Sequence, residues 1–91
     1  MRQAIGFIEV RSLVAAMEAA DAMVKAADVH LDDFQFVGSG LVAVVVTGDV
    51  AAVTSAVEVA KDRTKHLGEL ISANVIPRPH EEVDRLIHSE N

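Results

Sequence analysis

Four histidines, two pairs of adjacent acids and one serine between glycines are the residues of this chain whose types could carry chemistry. His30, His66, His80 and His88 lack metal-ligand spacing, such as two histidines four apart on one helix. Asp32-Asp33 and Glu81-Glu82 pass at first for catalytic carboxylate pairs. Adjacent residues point in different directions in both helix and strand, so they read as a turn acid and a helix-N-terminal acid. Gly38-Ser39-Gly40 is followed by Leu41 instead of a lysine and opens no helix, so it is neither a P-loop nor a dinucleotide fingerprint. It also lacks the pentapeptide of a nucleophile elbow, and reads as a tight hairpin turn. The absence of cysteine excludes disulfides, thiolate metal sites and cysteine nucleophiles. No catalytic set survives, and neither enzyme activity nor a metal or cofactor is expected.

Charge and composition narrow the partners. The net charge is −6 and the pI about 5.0, whereas nucleic-acid binding needs a basic patch. The nearest approach to one, Lys61-Asp62-Arg63-Thr64-Lys65, is interrupted by a carboxylate and reads as a solvated helix face. Apolar runs such as Leu41–Val46 fall far short of the ~20 residues that cross a bilayer. Met1-Arg2-Gln3-Ala4 leads into a strand-like segment without signal-peptide architecture, so a cytoplasmic domain with no membrane partner is expected. Hydrophobic residues make up 51% of the chain and alanine and valine dominate them, with only three aromatic residues. Small side chains suit close packing of helices on a sheet and leave little bulk to line a large pocket. A chain of 91 residues buries only ~60–65% of its unfolded surface, which makes help from partner subunits plausible.

The elements follow from periodicity and punctuation. Ala4–Val10 is nearly all apolar and reads as a central strand buried on both faces. Ser12 caps a helix running to about Ala27, with Leu13, Met17, Ala20, Val24 and Ala27 as its stripe and Glu18, Asp21, Lys25 and Asp28 as its polar side. Val29–Val37 is a second strand with Val29, Leu31, Asp33, Gln35 and Val37 on one face. After the glycine turn, Leu41–Thr47 is a β-branched strand that Gly48 ends. Asp49 caps a second helix whose stripe is Val50, Val53, Val57 and Ala60, with Thr64 and Leu67 beyond, and Gly68 closes it. Glu69–Ile76 is a fourth strand, Pro77-Arg78-Pro79 an extended exit, and Val83, Leu86 and Ile87 mark a short C-terminal amphipathic helix. Nothing reads as a linker, so residues 1–91 are expected to form one domain. Right-handed crossovers then favour an α/β (α+β), ferredoxin-like βαββαβ sandwich, a four-stranded antiparallel sheet with both main helices on one face. The other face is left for the terminal helix or a neighbouring subunit.

Three stretches carry a resemblance: Glu18–Ala27, Val37-Gly38-Ser39-Gly40-Leu41-Val42 and Val75-Ile76-Pro77-Arg78-Pro79-His80. In this order and spacing they resemble the single-domain, hexamer-forming shell proteins of bacterial microcompartments. Gly6-Phe7-Ile8-Glu9, Gly48-Asp49-Val50 and Gly68-Glu69-Leu70 fit the same pattern, which spans about residues 4–87. The resemblance implies a structural protein. Its cyclic homohexamers would tile with other hexamers and other shell proteins into the facets of a shell around encapsulated enzymes, in a carboxysome or a metabolosome.

By the same resemblance, the loop around Ser39 surrounds a central pore for small polar metabolites, lined by Phe36, Val37, Gly38, Ser39 and Gly40. Many relatives have lysine where Phe36 stands, so simple attraction of anions is not implied here. The hexamer edge is implied to hold Lys25, Asp28, Arg78 and His80. A lysine stem can lie along the seam with its ammonium on carbonyls, and the arginine fork between two prolines adds planar donors. Asp28 can pair with Lys25 one turn away, or weaken sheet growth if acids accumulate along the seam. The alternative from another class is an oligomeric ferredoxin-like regulatory domain that binds an effector between subunits.

Overall fold

The computed structural model describes residues 3–78. Its elements are β1 (Gln3–Val10), α1 (Leu13–Ala26), β2 (His30–Gly38), β3 (Leu41–Asp49), α2 (Val50–His66) and β4 (Leu70–Arg78). The four strands form one antiparallel sheet in the order β2-β3-β1-β4, with α1 and α2 on one face. Two split β-α-β units interlock: β1 and β2 flank β3, and β3 and β4 flank β1. This is the expected sandwich. The expected C-terminal helix, with Val83, Leu86 and Ile87, lies outside the described residues.

Local signals set the helix ends. The Ser12 hydroxyl accepts from the Ala15 amide at 3.1 Å and donates to Glu69 Oε1 at 2.8 Å, so the cap also ties α1 to the start of β4. Asp49 caps α2 by accepting from the Ala51 amide at 3.2 Å. At the other end of α2, Gly68 has φ 72°, its amide donates to the Lys65 carbonyl, and the Glu69 amide reaches the Thr64 carbonyl. That is the Schellman arrangement, in which a left-handed residue lets the chain reverse onto the last carbonyls. A Cβ at Gly68 would meet no atom within 4 Å, so Gly68→Ala isolates the backbone term. Thermal melting should show a loss of about 1 kcal/mol, and an unchanged melt would mean that the turn relaxes without cost.

The core joins Ile8 and Val10 of β1, Val42, Val44 and Val46 of β3, Ala16, Ala19 and Met23 of α1, and Val53, Ala56, Val57 and Ala60 of α2. β1 is central, as its apolarity indicated. Its burial nevertheless alternates, with Ala4, Gly6, Ile8 and Val10 buried under the helices and Ile5 and Phe7 half-buried on the open face. The α2 stripe holds through Val53, Val57, Ala60 and Thr64, whose buried hydroxyl donates to the Ala60 carbonyl at 2.8 Å, while Leu67 lies exposed beyond the helix. Pro77 fits in β4 because that strand is an edge, where a missing N–H breaks no inner ladder.

Two expectations change. On α1 the alanines Ala15, Ala16, Ala19 and Ala20 face inward with Met23, and Leu13, Met17 and Val24 are 46%, 58% and 45% exposed. The helix lies close to both the sheet and α2, and small side chains permit that approach. On β2, register shifts between Leu31 and Asp33 and between Phe36 and Gly38 insert extra residues at Asp32 and Val37. Leu31 therefore opposes the buried Val46 while Asp33 opposes Val45 on the other face, so the five residues from Val29 to Val37 do not share one side. The Asp32 carboxylate accepts from the Thr47 hydroxyl at 3.4 Å and lies 3.5 Å from His30 Nε2, which ties the first shift to β3.

Candidate functional site

The β2–β3 hairpin closes through the pair Gly38 and Leu41, leaving Ser39 and Gly40 as its two-residue turn. Both turn residues have positive φ, 55° and 80°, the requirement of a type I′ turn that matches strand twist. Gly38 continues the run at φ 115°, a backbone conformation costly to any residue with a Cβ. Sequence alone thus places a sharp turn here, and the fold makes it project. Gly38, Ser39 and Gly40 are all exposed, as are Phe36 at 71% and Val37 at 54%. Arg11 sits beneath the tip, its carbonyl 3.7 Å from where a Gly40 Cβ would stand.

The residues expected at an edge gather elsewhere. Lys25 occupies the last turn of α1, 74% exposed at its side chain, with Nζ 3.0 Å from Asp21 Oδ2. Asp21 and Lys25, four apart with the acid first, are in the favourable order for a helix pair. The partner is Asp21, not Asp28. Spacing alone allowed either choice, because both acids lie within a turn of the lysine. Asp28 follows the end of α1, its carbonyl 3.4 Å from an ideal Cβ on Gly48. Arg78 ends β4 opposite Gln3, which on its other side opposes Asp49. His80 lies outside the described residues.

Chain direction decides where these two groups stand. β1 runs from Gln3 to Val10, and Val10 opposes Val42 next to the hairpin tip. α1 starts at that same end and returns, so Lys25 and Asp28 come to the end where Gln3, Asp49 and Arg78 meet. Strands of eight or nine residues at about 3.3 Å per residue put the two ends roughly 25 Å apart. The hairpin group and the Lys25 group thus occupy opposite ends of one sheet.

Among the described residues, no three His, Asp or Glu side chains come together as a metal would need. The ion pairs there are Lys25 with Asp21, His30 with Asp32, and Arg63 with Glu18, the last joining the two helices at 3.2 Å. What the described residues offer is surfaces and an exposed loop.

A family model described as the BMC domain matches residues 4–79. The chain belongs to the BMC domain family. It is 45% identical over 86 residues to the bacterial microcompartment shell protein PduA of Citrobacter freundii, covering 94% of this chain and 92% of that one. It is 48% identical over 88 residues to the carboxysome shell protein CsoS1A of Hydrogenovibrio crunogenus, covering 96% and 92%. A solved structure of a microcompartments protein from Desulfitobacterium hafniense DCB superposes with a TM-score of 0.75 at 39% identity. That match covers 81% of this chain and 40% of the other, so this BMC-domain chain spans less than half of that protein's length.

The shell-protein resemblance is therefore correct: this is a structural component of a bacterial microcompartment shell, not an enzyme, and it assembles with other shell proteins. Nothing in these relatives supports an effector-binding regulator. No helix among the described residues is long and apolar enough to cross a membrane. Sequence reasoning missed Asp21 as the partner of Lys25 and the approach of the Arg11 backbone to the hairpin tip. Asp21 was one of the two acids that the spacing offered to Lys25; Arg11 had no signal, since only the fold brings residues 11 and 40 together.

Proposed function

We propose that residues 1–91 act as one shell domain forming a six-fold ring, with the β2–β3 hairpins around its axis and the Lys25 ends at its rim. The observation that carries this reading is the separation of the two groups. A ring subunit needs one end that tolerates crowding and another that meets neighbouring rings. The end with Gly38, Ser39 and Gly40 suits an axis, because little side-chain bulk stands at its tip. Phe36, Val37, Gly38, Ser39 and Gly40 then line a central passage, whose hydroxyls and amides replace part of the hydration of a small polar metabolite. Lys25, Asp28, Arg78 and His80 take the rim, where contacts repeated along every side add up. Tiled rings of this kind enclose enzymes and separate their metabolites from the surroundings.

Two surfaces of the single chain also favour assembly. The outer side of α1 exposes Leu13, Val14, Met17 and Val24, and the open sheet face carries Ile5, Phe7 and Ile76. Subunit contacts that cover such residues contribute about 25 cal/mol per Å² of apolar surface buried. Native mass spectrometry at micromolar concentration should give a species of six 9.7 kDa chains. Its formal charge of −36, six times −6, should make ring–ring association stronger as salt rises through physiological levels. A stable monomer would sink the ring.

A further inference from the structure

The exposed tip of the hairpin, Gln35–Gly40, carries no charge, and the strand behind it is core. From Phe34 to Gly48 the sequence has no Asp, Glu, Lys, Arg or His, in a chain where 24% of residues are charged. The uncharged run covers the turn and the parts of both arms nearest it, while Asp32 and Asp33 on β2 and Asp49 on β3 stand toward the far end. At the tip, the hydroxyl of Ser39 makes no hydrogen bond to any described residue. Just behind it stands Phe36, 71% exposed and opposite Val42, with Val37 beside it. Phe34, two residues back, packs against the core next to Val44. Phe36 continues that row but stands exposed.

Resting on the axial placement of this hairpin, we infer that the passage selects small uncharged molecules with one oxygen acceptor on a short apolar body, such as an alcohol, aldehyde or ketone, over carboxylates and other ions. Six copies of the tip make a ring of hydroxyls and backbone dipoles backed by a collar of six Phe36 rings. The hydroxyls serve the oxygen of a neutral solute and the collar accepts its carbon chain. An anion must shed water at a tip whose own residues carry no charge, Arg11 meeting that tip through its backbone carbonyl, and it approaches an assembly of formal charge −36. A cation is drawn by that overall charge but meets no carboxylate between Phe34 and Gly48 to replace its hydration. Phe36 is the specificity-determining residue, because a lysine there would put six cations at the mouth.

The test compares propanal and propanoate, matched in carbon count and different in charge. Uptake of each labelled probe is timed into intact shells in which this protein supplies the rings. Unmodified shells should take up propanal at least about tenfold faster, and propanoate uptake should stay flat or rise between about 0.01 and 0.3 M ionic strength as repulsion is screened. Phe36→Lys should lower the propanal-to-propanoate ratio about three- to tenfold and make propanoate uptake fall with salt. Phe36→Leu, still neutral and apolar, should keep the parent ratio.

Propanoate uptake that falls with salt in unmodified shells would overturn the inference, because it marks a cationic lining. That measurement needs no variant, so it decides the matter even where Phe36→Lys shells do not assemble. An unchanged ratio in Phe36→Lys shells also overturns it, provided Ser39→Asn, which tolerates the positive φ of the turn, alters uptake of both probes. In that case the axial passage stands and Phe36 lies outside it. Should Ser39→Asn also leave uptake of both probes unchanged, solute crosses elsewhere, and both the axial placement and the inference built on it fail.

Discussion

Gly6→Ala is expected to lose about 1–3 kcal/mol of stability, although it adds a single methyl group. An ideal Cβ at Gly6 would stand 2.6 Å from Val53 Cγ1, 2.7 Å from Val57 Cγ2 and 3.3 Å from Val46 Cγ2. The first two methyls belong to valines in a helix, where one χ1 rotamer dominates, so they do not swing aside. Either α2 lifts from the sheet or β1 shifts in its ladder, and both loosen the core at its centre. The smaller entropy that alanine has in the unfolded chain recovers only about 0.4–1 kcal/mol. Melting at fixed protein concentration should show a drop of roughly 5–20 °C. Val53→Ala in the same chain should restore part of it, since the two changes share one space. A melting temperature within about 2 °C of the parent's would mean that the helix moves off the sheet at little cost.

Lys25→Ala should separate ring formation from tiling. Among the described residues, the Lys25 side chain is 74% exposed and its ionic contact is Asp21, so its removal should change stability by less than about 0.5 kcal/mol. Native mass should still report the six-chain species. Extended sheets, counted by electron microscopy at matched concentration, should nevertheless be lost or much reduced, because the same contact recurs on every side of every ring. Lys25→Arg keeps the charge and changes the shape of the donor group, so it should restore sheets only in part. If Lys25→Ala tiles as well as the parent, or fails to fold, the lysine is not at the rim.

The two predictions draw on different kinds of information. The spacing of Lys25 in the segment Glu18–Ala27 was open to inspection in the sequence. The role of Gly6 was not, although a glycine inside an otherwise β-branched and aliphatic strand signals a close backbone approach. Which element approaches it follows only from the packing of α2.

By itself the sequence determined the order and type of the elements, their caps at Ser12 and Asp49, the stop at Gly68 and the hairpin turn at Ser39. These depend on groups within a few residues of one another, on hydrogen bonds to the first turn of a helix, and on φ values that glycine tolerates. Tertiary structure decided which side of α1 faces inward, because Leu13, Met17 and Val24 form as good an apolar stripe as the alanines do. Periodicity fixes an angle around the helix, and close packing chooses between two apolar arcs. It also decided the register shifts at Asp32 and Val37, which depend on how β2 meets β3 and not on β2 alone. The separation of the hairpin from the Lys25 end was set by the sheet order. Residues 25 and 39 are close in sequence yet stand at opposite ends, because β2 runs the full length of the sheet between them.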